Sequence, residues 1–188
     1  MTPEDRSRAL KQEADEVLAL IGLNELVASI GPLMSTGSYF MDLMMYPDID
    51  VNLPLTTPDK LLGVGVDLSK LACVKKLRYL RGGEGDLRDS FYLKPEISYG
   101  NWGRLWKVDI WSHPAPFLEK SHAEMTDLKS RMTAAHRTLI LDTKYRLLTP
   151  EGRTPMYSGI FIYRAVINHG MTQQTEIETY LTDNGIIL

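Results

Sequence analysis

Three aspartates carry the chemistry that this sequence most directly suggests. Asp48-Ile49-Asp50-Val51 alternates polar and apolar residues. Read as a strand, it puts residues two apart on one face, so Asp48 and Asp50 point the same way while Ile49 and Val51 point into a core. Two carboxylates side by side repel and shift each other's pKa. A hard divalent cation with oxygen ligands, such as Mg²⁺, relieves that repulsion. The third acid sits in Lys107-Val108-Asp109-Ile110-Trp111, an apolar strand interrupted by one carboxylate. An unpaired carboxylate in such a setting is costly, which argues for a role other than packing. If the two strands are neighbours, the three carboxylates converge and suffice for two Mg²⁺ ions. Lys107 shares the face of Asp109 and is placed to meet a phosphate or to pair with the acids.

Ahead of the first pair stands Ser35-Thr36-Gly37-Ser38, with nine residues between Ser38 and Asp48. Gly37 has no Cβ and lets the backbone approach a ligand closely. The N–H groups that open a following helix favour an anion, and the Ser38 hydroxyl adds a donor. A phosphate cradle beside a metal-binding carboxylate pair is what triphosphate chemistry requires.

On these residues the sequence resembles the nucleotidyltransferase superfamily, the DNA polymerase beta-like fold, and in size its small antibiotic-modifying members. Gly37 and Ser38 match that family's Gly-Ser pair, Asp48 and Asp50 its two metal-binding acids, and Asp109 the third acid on a later strand. The resemblance covers roughly residues 30–112. It implies an α+β fold, a mixed and largely antiparallel sheet with helices packed on it, followed by C-terminal helices. It implies catalytic acids at Asp48, Asp50 and Asp109, phosphate contacts at Gly37, Ser38 and Lys107, two Mg²⁺ ions as cofactor, and an NTP such as ATP as substrate. The basic residue that many members carry after Gly-Ser is replaced here by Tyr39, Phe40, Met41 and Asp42. Arg104, Lys107 and Lys144 are the candidate cations in its place.

The elements that must position these groups follow from period and punctuation. Residues 3–21 read as a helix, with Leu10, Ala14, Val17, Leu18 and Ile21 on one stripe and Gly22 as its stop. Residues 25–34 are expected as the first strand, 39–46 as a short helix ended by Pro47, and 48–55 as a strand. Residues 58–71 suit a helix with Pro58 in its first turn. Three strands, over 73–81, 90–99 and 104–111, are separated by the Gly-rich turns 82–86 and 100–103. Helices are expected over 117–137, 139–148, 157–169 and 172–182. Residues 1–113 thus form the proposed catalytic domain and 114–188 a helical segment that defines the acceptor.

Composition narrows the class further. The chain has 188 residues with 21 Lys+Arg against 24 Asp+Glu, a formal charge of −3. That balance argues against a long polyanionic partner, since phosphate contacts come from Lys and Arg. The expected acceptor is a small molecule or a protein; addition to RNA would require a basic groove. One cysteine, Cys73, excludes an internal disulfide and a four-Cys metal site. The polar residues 1–8 are unlike a secretory signal, and no apolar run nears the ~20 residues of a membrane span, so the expected setting is cytoplasmic with no membrane partner. The plainer readings are a solvated turn for Asp48 and Asp50, and an ion pair with Lys107 or an Arg for Asp109. Met41, Met44 and Met45 are expected as core filler, and Trp102, Trp106 and Trp111 as sheet packing. Glu119 and Glu124 are candidate general bases or a solvated helix face, and Tyr157, Tyr163 and Arg164 candidate acceptor contacts. A domain of this fold that binds nucleotide without turnover is the competing functional class.

Overall fold

The computed structural model describes residues 1–82 and 88–188. Helix α1 (Pro3–Leu20) starts on Thr2, whose side chain accepts from the Asp5 N–H, and the chain turns away at Gly22, which takes the left-handed φ of +58°. The next segment differs from the expected strand over 25–34. It opens with a short helix, α2 (Leu23–Val27), because Leu23 and Val27, four residues apart, are buried together. Only Met34–Thr36 is extended, as β1. Helix α3 (Gly37–Met41) ends early, at Asp42 in the left-handed region, rather than running to Pro47. Strand β2 (Asp48–Pro54) and helix α4 (Pro58–Ser69), capped by Thr57, follow as expected.

Strands β3 (Val74–Arg81), β4 (Phe91–Ile97) and β5 (Trp106–His113) form the antiparallel meander. The Gly83-Glu84-Gly85-Asp86 part of the turn between the first two lies outside the described residues. Strand β5 then lies parallel to β2, and β1 pairs antiparallel to β2. The result is one five-stranded mixed sheet in the order β1-β2-β5-β4-β3. The fold is α+β, with helices packed on a largely antiparallel sheet and further helices after it.

Those helices are α5 (Ala115–Arg131), α6 (Ala134–Arg146), α7 (Ser158–Tyr163), continued by a π-helical turn over Arg164–Asn168, and α8 (Gln174–Asp183). The break between α5 and α6 falls at Met132 and Thr133, ahead of the expected position. Thr133 caps the His136 N–H, and the His136 ring accepts the Thr133 N–H in return. No described helix is long and apolar enough to cross a membrane.

The buried apolar residues form two hydrophobic clusters. Ile49, Val51, Leu53, Val108, Ile110, Leu93 and Ile97 point to one side, against α1, α2 and α4. The second cluster joins Ile140, Leu141, Ile162 and Tyr163 to Met41, Leu43 and Met45 from the segment before β2. The methionines are packing residues, as read: Met41, Met44 and Met45 are fully buried.

Candidate active site

Alternation in β2 and β5 leaves one residue in two for the other sheet face. From β2 these are Asp48, Asp50 and Asn52; from β5 they are Lys107, Asp109, Trp111 and His113. The parallel register sets Asp50 directly opposite Asp109 and Asp48 opposite Lys107. The two segments that hold the predicted acids are therefore adjacent strands, and all three acids share a face.

The acids are not equivalent. Lys107 Nζ stands 2.9 Å from Asp48 Oδ1, and this contact draws the buried carboxyl down against its desolvation. The expected alternative of a Lys107–Asp109 pair is thus not what forms. Asp109 Oδ1 instead accepts a 2.6 Å hydrogen bond from the Tyr92 hydroxyl on β4. Asp50 lies against Gly37: a Cβ built there would run into Asp50 Oδ2, and Gly37 takes φ +59°. Only glycine meets both demands.

Electrostatics follow from this crowding. Burial first, then the charges of Asp48 and Asp109, pushes the Asp50 carboxyl well above the usual carboxylate range, against the pull of Lys107 and Lys144. Burial and Asp109 likewise raise Asp48, with Lys107 opposing. Desolvation and Asp109 raise the Tyr92 phenol, which keeps it a hydrogen-bond donor at neutral pH.

Lys144 comes from the last turn of α6 and is fully buried. Its ammonium donates to the Leu43 carbonyl (2.5 Å) and the Tyr163 hydroxyl (3.2 Å). Burial pushes it down to about 7, while Asp50 and Asp48 pull it up. Arg104 reaches the same end of the sheet: its guanidinium lies over the Tyr46 ring at 5.5 Å and donates to the Glu151 and Gly152 carbonyls.

Other candidates are spent elsewhere. Glu124 pairs with Arg164 at 2.6 Å, Glu119 is exposed, Tyr157 is three-quarters exposed and Tyr163 is buried beside Lys144. Trp111 lies between Tyr92 (centroids 4.4 Å apart) and His113 (5.3 Å, nearly parallel), so it packs within the sheet. His113 is buried against Ser90 and Phe117, and burial pushes its imidazole down to about 4.

The donor chemistry, carboxylate oxygens alone, is the kind a hard divalent cation takes. Asp48 offers a buried oxygen whose partner is the Lys107 ammonium, and Asp50 faces a backbone cradle that a Cβ would fill. Asp109 stands across the register from Asp50. Among the described residues no three His, Cys, Asp or Glu side chains form a ready ligand set for one ion.

No protein-family model matches the chain, and no curated protein sequence does. The functional reading therefore stands on the site itself.

One group at this site, Tyr92, escaped the sequence reading; Lys144 is among the expected cations, but its burial is not expected. Tyr92 belongs to Tyr92-Leu93-Lys94, where alternation places it on the face of Asp109. The signal was there, but only the β4–β5 register turns it into a contact. Lys144 sits at the end of a helix, where a basic residue ordinarily serves the helix dipole in solvent; its burial is a tertiary effect.

Proposed function

We propose that the chain is a metal-dependent nucleotidyltransferase. It moves a nucleoside monophosphate from an NTP to a hydroxyl of a small-molecule or protein acceptor. The observation that carries this reading is the Asp50–Asp109 opposition across parallel strands, with Gly37 against one of the two. Two like charges directly opposite cost stability, and a cation between them offsets that cost.

Asp48, Asp50 and Asp109 would hold Mg²⁺. Bound there, the metal supplies charge neutralisation for the triphosphate and a lowered pKa for the attacking hydroxyl. The chain's own groups do the rest. Gly37 gives the phosphates access to backbone, and Ser38 adds a hydroxyl donor. Lys107 and Lys144 oppose the upward push of burial on the Asp50 carboxyl, and Tyr92 orients Asp109. The acceptor oxygen bonds to the α-phosphorus, the bond from that phosphorus to the bridging oxygen breaks, pyrophosphate leaves, and one proton is released. Rate enhancement comes from positioning and charge neutralisation rather than from a covalent intermediate.

Asp109→Asn tests this. A pyrophosphate-release assay with Mg²⁺ and each of the four NTPs, over a panel of hydroxyl acceptors, should show wild-type turnover. The variant should fall by about 10³-fold or more, about 4 kcal/mol of barrier, with its circular dichroism unchanged. Undiminished transfer by the variant overturns the reading. Nucleotide binding by calorimetry without transfer to any acceptor would favour the non-catalytic class.

A further inference from the structure

The acid-bearing face continues onto β4 and β3. The register Leu93↔Ile110 and Glu96↔Lys107 brackets Lys94 opposite Asp109, and Lys94 stands opposite Arg78 on β3. One row of side chains thus crosses four strands as Asp50, Asp109, Lys94, Arg78. The neighbouring row reads Asp48, Lys107, Glu96, Lys76.

The two rows differ in charge order. The second alternates in sign and is paired throughout, Lys107 with Asp48 at 2.9 Å and Lys76 with Glu96 at 3.3 Å. The first is segregated, two acids and then two bases. Among the described residues, Lys94 and Arg78 make no ion pair or side-chain hydrogen bond, although Lys94 is next to Asp109. Like charges directly opposite are destabilising. An exposed edge strand such as β3 gains protection from stray pairing by carrying Lys and Arg. That accounts for Lys75, Lys76 and Arg81. It does not account for Lys94, which lies on an interior strand and stands opposite Arg78 rather than opposite an acid.

We propose that Lys94 and Arg78 bind an anionic group of the acceptor. This rests on the nucleotidyltransferase reading and names the acceptor class for that site. The strand order separates two sides. Gly37, where the NTP phosphates are placed, lies beyond Asp50 toward β1. Lys94 and Arg78 lie on the opposite side of Asp109, one and two strand spacings away, about 5 and 10 Å. The acceptor is a small hydroxy compound bearing a phosphate or a carboxylate, with its reacting hydroxyl toward Asp109. A guanidinium suits either oxyanion as a two-point donor, and the ammonium adds a point charge. The pair marks one anionic group rather than a long track, in keeping with the net charge of −3.

The test needs neither nucleotide nor metal. Glycerol 3-phosphate, glycerate and glycerol are titrated into the full chain and followed by backbone amide shifts. One or both anions should shift the amides of Arg78 and Lys94 saturably, and glycerol should not. Arg78→Ala and Lys94→Ala should each weaken the anion at least about tenfold, and Lys76→Ala should leave it unchanged. Thermal midpoints at or above wild type, expected when a like-charge opposition is removed, show that the variants fold. The proposal is overturned if neither anion binds, or if Arg78→Ala/Lys94→Ala binds as wild type does. It is also overturned if a 12-nucleotide RNA binds more tightly than both and loses affinity in the same variants. Transfer to a neutral acceptor with no anion binding sinks this inference alone; anion binding with no transfer sinks the enzymatic reading alone.

Discussion

Two rows of side chains, one dipeptide step apart on the same sheet face, use the same four strands and two acids and two bases each to opposite effect. In the row of Asp48, Lys107, Glu96 and Lys76 every charge has its counter-charge next door. In the row of Asp50, Asp109, Lys94 and Arg78 the charges are sorted by sign. The first row is what a sheet surface does when only stability matters. The second stores unrelieved repulsion at both ends, and each end calls for a ligand of the opposite sign, a cation for the acids and an anion for the bases.

The comparison can be broken most severely at Lys107. Lys107→Met leaves Asp48 deeply buried with no cation beside it, and should lower unfolding stability by about 2–3 kcal/mol at neutral pH in urea titration. A loss below about 0.5 kcal/mol would mean that the pair contributes little and that Asp48 is better solvated than its burial indicates.

A smaller effect of opposite sign is expected at Asp50. Its carboxyl titrates well above the unfolded value. The protonated form is favoured by folding, so this group's contribution is fully present below the unfolded pKa near 4 and is lost as pH rises through the raised folded value. Without divalent metal, Asp50→Asn should therefore be the more stable protein at pH 8, by about 1–2 kcal/mol. The gain should vanish on approaching pH 4. Thermal melts across that range check it, and a variant less stable at pH 8 contradicts the assignment.

The smallest effect belongs to the paired row at its outer end. Lys76 is largely exposed, and an ion pair there is worth about 0–1 kcal/mol. Lys76→Ala should change stability by less than that and become indistinguishable from wild type in 1 M salt.

The sequence carried the acids and their strands because their information is local. Alternation through Asp48-Ile49-Asp50-Val51 needs no partner to be read, and one Asp in Val108-Asp109-Ile110 announces itself. Residues 25–34 failed for the converse reason. They are apolar without a two-residue period, and the burial of Leu23 with Val27 settles a helical turn that composition alone does not specify. Strand β1, at three residues, is too short to leave a pattern. The boundary at Thr133 was missed because its reciprocal cap uses His136, where the usual signature has an acid or amide. The charge sorting along the row was not legible at all. It depends on the register of four strands, and Arg78 and Lys94 are unremarkable until that register aligns them with Asp109.

The contact from Lys144 to the Leu43 carbonyl spans 101 residues. It gives the site a schedule. As the chain is synthesised, Asp48, Asp50 and Asp109 all exist before α6 does. Until that helix arrives, Asp50 has no buried ammonium to offset its charge, and Met41, Leu43 and Met45 lack Ile140 and Leu141 as part of their cover. The sheet is able to form first, but the charge of Asp50 is offset last, by a lysine made when three-quarters of the chain is already behind it.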